Sequence, residues 1–403
     1  LLLYGVEHRN IHDFGQPLSR QLTETINVDA PDELTGVAIT LQGEGDGNFD
    51  GNDIILFHAQ GPDRIRYEAN GDFFDYEKNI YATTNSYFLR VGGSRGRRVS
   101  DLPAASGGTE VSSYDAVYHF EEDKFNILHQ LGGNSHGSGQ SWFGDLLAGA
   151  REVEYRNVFQ IPGLVDDQNA RIRARMALRT DVTSRFLIEI GDQQLTSAVA
   201  SRVRIGQQEQ SAAAIPTLLD AAVKLPGEEV TINLVYPRPA NSGTSEGYLD
   251  WFQVRAQRRL TFGDLGQFSF RDVGSMGQST VRFQFENNLP SDATVWRIDG
   301  ADVRAASVSD GTFSATAGGR LFEYVAFKSG APLLTPKAVG IVPNQNLHAE
   351  NDAEMIIIAH PNFMQQAKLL AEHRRTHNGL KTVMVTTQQV YNEFSGGRDD
   401  ASA

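Results

Sequence analysis

Apolar residues along the chain fall mostly in short runs that alternate with polar residues and end at turn-forming residues. Residues 53–58, 86–91 and 230–236 are three such runs, each rich in β-branched or aromatic side chains. A period of two is typical of antiparallel strands with one buried face. The pattern therefore predicts a mostly β chain, and its 39 glycines fit a chain with many tight turns.

The grouping of these runs predicts two β domains. The first is a small N-terminal β domain over residues 1–118, and the second, over residues 150–330, is a β-sandwich or jelly roll. Residues 119–149 separate them and are predicted to form a connecting helix and a Gly/Ser loop. Residues 331–353 contain three prolines and are predicted to be an extended linker.

From residue 354 the pattern changes to that of an α/β domain. Met355–Ala359 is apolar at every position, as in a strand buried on both faces. A helix that ends near Gly379 follows, and after it come a second strand at 381–386 and a short helix at 388–394. One face of the first helix carries four apolar residues: Phe363, Ala367, Leu370 and Ala371.

Residues 354–403 are thus predicted to be the first strand–helix–strand unit of a truncated α/β domain. Parallel sheets are usually covered on both faces and have about five or six strands. We therefore expect the rest of this domain to lie beyond residue 403 or on another chain. The chain also opens without an initiator methionine, inside an apolar run, so we expect its N-terminus to be cut and a missing signal peptide to be uninformative.

Composition narrows the choice of partners. The formal net charge of −14 disfavours nucleic acid, because phosphate binding needs a concentrated basic face. Only seven of the 36 basic residues are lysine, and a predominance of arginine favours paired contacts. No apolar run approaches the roughly 18 residues of a membrane-spanning helix, so no transmembrane segment is predicted. The chain has no cysteine, which excludes disulfides and a cysteine nucleophile within these residues.

One acidic loop has the spacing of a cation site. Asp46, Asn48, Asp50 and Asp53 place side-chain oxygens at positions one, three, five and eight of a loop that contains two glycines. Calcium takes six to eight oxygen ligands, so we consider calcium a candidate cofactor here. Phe57 occupies the twelfth position, where a bidentate glutamate would be expected, and an ordinary polar turn is the alternative interpretation.

Three further candidate sites favour a structural interpretation. His373 and His377 lie four residues apart on the predicted helix, but the two arginines between them oppose a zinc site. His360 follows a predicted buried strand and could line a cleft or cap the next turn. The aromatic residues Tyr248 and Trp251 flank Asp250 and could stack on a sugar, although such residues usually belong to a sandwich core.

Three stretches of the sequence resemble a known family. They are Asp-Gly-Asn-Phe-Asp-Gly-Asn-Asp-Ile-Ile-Leu-Phe-His-Ala-Gln-Gly-Pro at 46–62, Ser-Trp-Phe-Gly-Asp at 141–145, and Met-Ile-Ile-Ile-Ala-His-Pro at 355–361 with Val-Tyr-Asn-Glu-Phe-Ser-Gly-Gly at 390–397. Together they resemble the N-terminal portion of gingipain-like cysteine peptidases of family C25, in particular the sortases of the type IX secretion system. Residues 150–330 add only their order of strands to this likeness.

The resemblance implies a secreted enzyme associated with the outer membrane at the cell surface, with a caspase-like peptidase domain. Such an enzyme removes the C-terminal signal domains of exported cargo and attaches the cargo to anionic lipopolysaccharide, with an outer-membrane β-barrel as a partner in the attachment complex. Its chemistry is Cys–His acyl transfer. Both catalytic residues lie later in the family's domain than this match, so no catalytic residue is assigned in this chain.

Two other functions stay open at the level of sequence. The first is a carbohydrate-binding or adhesive surface module, whose β domains would recognise glycan directly. The second is a degradative gingipain-type protease, which differs from a sortase in substrate and not in chemistry. Exposed aromatic residues would favour the carbohydrate-binding module. The specificity pockets that would distinguish a degradative protease from a sortase are not present in this sequence.

Overall fold

The structure of the chain is a computed structural model that describes residues 2–5, 35–43, 45, 50–51, 53–92, 95–128, 141–203, 214–263, 266–328, 330–400 and 403. The expectation of a mostly β protein is confirmed, since strands greatly outnumber helices among the described residues as a whole. None of the described helices is long and apolar enough to cross a membrane.

The N-terminal region forms small antiparallel units. A three-stranded sheet has the order β2-β1-β7, and two hairpins pair β3 with β4 and β5 with β6. Two further short strands, β8 and β9, follow and join sheets formed by later residues. The strands are β1 (Leu2–Gly5), β2 (Thr35–Val37), β3 (Ile39–Gln42), β4 (Ile54–Phe57), β5 (Arg64–Glu68), β6 (Phe73–Glu77), β7 (Phe88–Arg90), β8 (Ser100–Asp101) and β9 (Thr109–Val111).

Next comes a β-sandwich of two antiparallel sheets. One sheet has the order β10-β18-β13-β16 with β11 paired to β18, and the other has the order β12-β17-β14-β15. Met176, Phe252 and Ile232, from both sheets, are fully buried in one shared core. The strands are β10 (Ser113–Glu121), β11 (Leu146–Leu147), β12 (Glu152–Gln160), β13 (Ala170–Thr180), β14 (Leu187–Ile190), β15 (Gln193–Thr196), β16 (Ile215–Val223), β17 (Glu229–Val235) and β18 (Ser245–Arg259).

A second sandwich follows, with a core rich in phenylalanine. Its sheets have the orders β19-β24-β21-β22-β8 and β23-β20-β9. Phe270, Phe283 and Tyr324 contact one another at its centre, with ring centroids 4.8–5.5 Å apart. The strands are β19 (Gln267–Phe270), β20 (Thr280–Gln284), β21 (Ala293–Asp299), β22 (Asp302–Ala306), β23 (Thr312–Thr316) and β24 (Glu323–Lys328).

Strand pairing crosses two of the boundaries expected from sequence. β10 pairs along its whole length with β18, so residues 113–121 belong to the first sandwich and not to a domain that ends at 118. Residues 150–330 form two sandwiches with separate cores, and not one. β8 and β9 each add a parallel edge strand to the second sandwich. Pairing between segments far apart in sequence depends on tertiary packing, which local alternation does not encode.

The connecting helix expected within 119–149 is wrong for the described residues. Residues 119–121 end β10, Phe125 pairs with Phe143 through backbone hydrogen bonds of 2.8 Å, and β11 lies at Leu146–Leu147. The acidic run at 121–123 resembles a helical first turn, but Glu121 pairs with β18 and Phe125 forms an isolated bridge with Phe143. The predicted Gly/Ser loop at 132–139 lies outside the described residues.

The C-terminal strand–helix–strand unit is present as predicted. β25 (Met355–Ala359) and β26 (Thr382–Thr386) pair in parallel, with α1 (Met364–Asn378) between them. Gly379 has a φ of 71°, a left-handed conformation that glycine adopts without strain, and it ends α1. α2 (Thr387–Phe394) follows directly, and the Thr386 hydroxyl accepts a hydrogen bond from the Gln389 amide at its start.

Candidate functional site

The small parallel sheet is covered on one face only. Ala367 and Ala371 of α1 are buried, whereas Ile356 and Ile358 of β25 are 62% and 56% exposed on the other face. Two residues expected on the covering face of the helix, Phe363 and Leu370, are also exposed. Phe363 precedes the first turn with a non-helical φ of −109°, so it does not lie on that face. A complete α/β fold covers both faces of its parallel sheet, so this open apolar face is where the unit departs most from such a fold.

The carboxyl edge of this sheet is formed by two capped turns. His360 follows β25, and its Nδ1 accepts a hydrogen bond from the Asn362 amide at 3.2 Å. Thr386 ends β26 and caps α2. His360 therefore has the capping role that the sequence favoured. In parallel α/β sheets this edge is where active sites are built, so these turns mark the candidate site of the unit.

Glu393 anchors the incoming chain to the α/β unit. Its carboxylate accepts hydrogen bonds from the Gln345 amide nitrogen at 2.8 Å, from the His348 backbone amide at 3.0 Å and from the Leu347 amide. His348 Nδ1 lies 2.8 Å from the same carboxylate. Burial acts to raise the pKa of Glu393, but these donors outweigh it and the pKa is lowered. The spacing of residues in the sequence did not indicate that Glu393 would anchor the incoming chain.

The N-terminal region contacts the far end of the unit. The Ser86 hydroxyl lies 3.5 Å from the carbonyl of Gly397, and the Phe88 ring lies against the same glycine. Arg398 is buried beside it, and its charge acts on both Arg64 and Tyr87. The α/β unit is therefore held by the N-terminal region as well as by the chain that leads into it.

An open groove lies between the N-terminal region, the second sandwich and the chain that leads into the α/β unit. It has a volume of about 2870 Å³ and is lined by β4, by the sheet of the second sandwich and by residues 331–346. His58 lies in its wall, where burial lowers the pKa of the imidazole against the pull of Glu323. The neutral imidazole is therefore the favoured form at neutral pH.

The acidic loop is only partly described. Asp46 and Asn48 lie outside the described residues, whereas Asp50 and Asp53 lie within them. The Asp50 amide donates to Asp53 Oδ2 at 2.8 Å, and the Asp53 amide donates to the Asp50 carbonyl at 3.1 Å. These two bonds form a tight turn. The calcium site stays a prediction.

His373 and His377 stack on the surface of α1 with ring centroids 5.2 Å apart. Within the described ranges, no three His, Asp or Glu side chains are grouped so that they could hold a metal ion.

The outer face of the first sandwich carries a ladder of arginines on β13. Arg171 donates to Asp220 at 2.6 Å and to the Gly71 carbonyl at 2.9 Å, which brings the β5–β6 hairpin onto this face. The Arg173 guanidinium lies 3.7 Å above the ring of Phe73, and the Arg175 guanidinium bonds Asp250. Arginine at every second position of a strand is the signal from which this docking face could have been found.

Tyr248 and Trp251 belong to this arrangement. Tyr248 is 7% exposed, and Trp251 is half-buried with its ring 5.7 Å from both the Arg173 guanidinium and the His119 ring. Between them, Asp250 is almost fully buried, and burial raises the pKa of its carboxyl to about 7 against the pull of Arg175. These side chains pack against protein and do not form a free stacking platform.

Comparison with known proteins agrees with this architecture at two levels. The model of Peptidase family C25 matches residues 348–403, which contain the anchor at His348, the whole strand–helix–strand unit and α2. The C-terminal unit therefore has the pattern of a C25 peptidase domain, and the resemblance seen in the sequence is confirmed there. No curated protein matches the chain significantly.

The solved structure of dimeric latent PorU from Porphyromonas gingivalis matches the chain as a whole. The TM-score is 0.73 at 19% identity, and the match covers 100% of this chain and 36% of PorU. At that identity the match establishes a shared fold, and this chain spans about a third of PorU. The CBM36-1 domain of a xylanase from the hindgut metagenome of Trinervitermes trinervoides also matches, with 14% identity over 35% of this chain and 95% of that domain, but its TM-score of 0.19 carries no argument.

Proposed function

We propose that this chain is the N-terminal part of a C25-type cysteine peptidase that acts as a sortase of the type IX secretion system. The observation that carries the proposal is that the residues matching the peptidase family form a strand–helix–strand unit attached to β-sandwiches with the fold of PorU. Its substrates would be exported proteins with C-terminal signal domains. Its acceptor would be anionic lipopolysaccharide, and it would lie at the outer surface of the cell. An outer-membrane β-barrel would be its partner in the attachment complex.

The proposed chemistry requires a thiol that these residues do not contain. A cysteine thiolate would attack the scissile carbonyl, release the signal domain with a new amino terminus and hold the cargo as a thioester. An amine of the acceptor would then displace the thiolate and form a new amide. Since the sequence has no cysteine, the thiol would come from residues outside these 403. The β-sandwiches would support and orient the peptidase domain.

The packing of Tyr248 and Trp251 argues against the carbohydrate-binding alternative, because both rings are engaged by other side chains. Nucleic acid is disfavoured as a partner by the net charge of −14. We also propose that the loop of Asp46, Asn48, Asp50 and Asp53 binds calcium as a structural ion, supported by its oxygen spacing.

The test uses the natural protein that bears this sequence, incubated with a cargo protein that ends in a C-terminal signal domain and with an amine as acceptor. We expect one cut before the signal domain and a cargo product joined to the amine, both detected by mass spectrometry. Protein treated with iodoacetamide is the control and should do neither. Cleavage at many unrelated sites without joining would instead identify a degradative protease. The absence of any thiol-dependent cleavage would refute both the sortase and the protease.

A further inference from the structure

Three arginines of the second sandwich lie close together. Arg297 of β21 and Arg304 of β22 are directly opposite each other in the antiparallel ladder, so their side chains lie on the same face of the sheet. The Arg297 guanidinium lies 4.1 Å from the centroid of the Phe322 ring. The guanidinium of Arg320, in the turn before β24, lies 4.7 Å from the same centroid. Like charges directly opposite each other destabilise a sheet, so this arrangement calls for a negative charge nearby.

Arg297 is buried without a carboxylate partner. The residue is 5% exposed, its Nε has no hydrogen-bond partner, and its Nη1 reaches the Thr316 carbonyl only at 3.4 Å. Buried arginines are almost always paired with an acid, because an isolated charge is costly to remove from water. Burial, and then the charge of Arg304, lower the pKa of Arg297. Since the pKa stays lowered, the contacts of Arg297 with Phe322 and Tyr324 offset only part of the cost of burial.

The acidic residues of the same two strands leave this cluster with an excess of positive charge. Asp299 of β21 pairs with Arg320, and Asp302 of β22 pairs with an arginine outside the cluster. Among the described residues, neither Arg297 nor Arg304 forms an ion pair. The three guanidiniums and the Asp299 carboxylate together carry two positive charges. A phosphate monoester carries about 1.5 to 2 negative charges at neutral pH, whereas a carboxylate carries one, so the charge of the cluster matches phosphate.

The cluster can be reached from solvent and offers suitable donors. Arg304 is half-buried, and the side chain of Arg320 is 60% exposed. A guanidinium presents its N–H donors in one plane, and these match the oxygens of a phosphate in paired hydrogen bonds. The two outer arginines can therefore contact a phosphate directly, and the buried Arg297 contributes its charge from the interior of the sandwich.

We propose that Arg297, Arg304 and Arg320 form a binding site for a doubly charged phosphate group, either inorganic phosphate or a phosphate monoester. Arg304 and Arg320 donate hydrogen bonds to its oxygens, and its charge compensates the like-charged pair across β21 and β22. The site lies in the second sandwich, outside the α/β unit, so this inference does not depend on the proposed secretion function.

The test is isothermal titration calorimetry of the natural protein that bears this sequence, at neutral pH, with inorganic phosphate, glycerol phosphate and acetate at equal ionic strength. We expect saturable binding of phosphate, and an affinity for acetate at least about tenfold weaker, because acetate carries a single charge. The tighter binder of inorganic phosphate and glycerol phosphate tells whether the site takes phosphate free or as an ester.

The variant Arg320→Gln should weaken phosphate binding at least about tenfold, which is the cost of losing a charge-assisted hydrogen bond. Arg304→Gln should give a similar loss. Arg282→Gln is the matched control and should keep the affinity, because Arg282 is an exposed arginine of β20 in the same sandwich. Arg320 is exposed as well, so its substitution should leave the fold intact, and circular dichroism checks this.

Three results would overturn the proposal. The first is the absence of saturable phosphate binding by the unaltered protein up to about 10 mM, and the second is acetate binding as tight as that of phosphate. The third is an equal phosphate affinity of Arg320→Gln and Arg282→Gln, which would place any bound phosphate elsewhere on the protein.

Discussion

Among single residues, Asp250 is the position where burial raises the pKa of a carboxyl and pairing with Arg175 lowers it. Its carboxylate bonds Arg175, yet the residue is 2% exposed, and Glu121 and Asp123 add negative charge nearby. Burial therefore dominates and raises the pKa of Asp250 to about 7. The sequence placed Asp250 between two aromatic residues but could not reveal its burial or its pairing with Arg175 on the neighbouring strand.

The raised pKa predicts a specific pH dependence of stability. Because the folded state binds the Asp250 proton more tightly than the unfolded state, whose pKa is near 3.8, the free energy of unfolding should fall as the pH rises from about 4 to about 7. This one group contributes a slope of up to about 1.4 kcal/mol per pH unit. The variant Asp250→Asn should remove that slope, measured by urea unfolding across the range. An identical slope in the variant would show that Asp250 does not titrate there.

Calcium binding to the acidic loop is expected to stabilise the folded chain. If the loop binds calcium, the free energy of unfolding should rise with calcium concentration, by about 2.7 kcal/mol at one hundred times the dissociation constant. Asp46→Asn removes one charged ligand without altering the turn of Asp50 and Asp53, and should lose most of this gain. Asp101→Asn, an exposed position, is the control. Equal stability with calcium and with chelator in the unaltered chain would refute the site.

At the scale of elements, local signals define the α/β unit better than any other part. The apolar run at Met355–Ala359 and the stop at Gly379 can both be read from neighbouring residues. The helix face was less predictable, because Phe363 lies before the first turn and not on the helix. The connecting helix failed for a related reason: sheet partners far away in sequence hold residues 119–125.

The capping box of α2 should control the stability of this helix. Thr386 and Gln389 exchange hydrogen bonds of 2.9 and 3.1 Å between side chain and backbone. Thr386→Ala removes one partner and should cost about 1 kcal/mol locally, seen as about fivefold faster amide exchange in residues 387–394. Thr376→Ala is the control, since Thr376 lies within α1 and bonds only carbonyls of its own helix. Equal exchange in both variants would contradict a capping role.

The open apolar face predicts that residues 354–403 do not fold alone. Ile356 and Ile358 would stay exposed, and burial on one face does not offset an ordering cost of about 1–2 kcal/mol per residue. In the chain, the unit is additionally held by Glu393 and by the contact of Ser86 with Gly397. Amide exchange of the excised peptide should show no protected strand amides. Strong protection in an isolated monomer would refute this.

At the scale of the whole molecule, the alternating pattern predicted the class of fold but not its assembly. Strand positions follow from a period of two, and the mostly β class was confirmed, although residues 150–330 form two sandwiches and not one. The partners of β10 and β8 were not predictable, because β10 pairs with β18 and β8 with β22, each across more than a hundred residues. Nor did the sequence show that Glu393 and Gly397 hold together parts that were expected to be separate domains.

We propose that this chain belongs to a sortase that processes secreted cargo, and deletion of its gene in the cell tests this proposal. The gene for the protein that carries these residues is deleted, and the C-termini of proteins on the cell surface and in the medium are read by mass spectrometry. We predict that cargo keeps its C-terminal signal domain and is released without attached lipopolysaccharide, and that the restored gene reverses both. Normally trimmed, lipopolysaccharide-linked cargo in the deletion strain would contradict the claim.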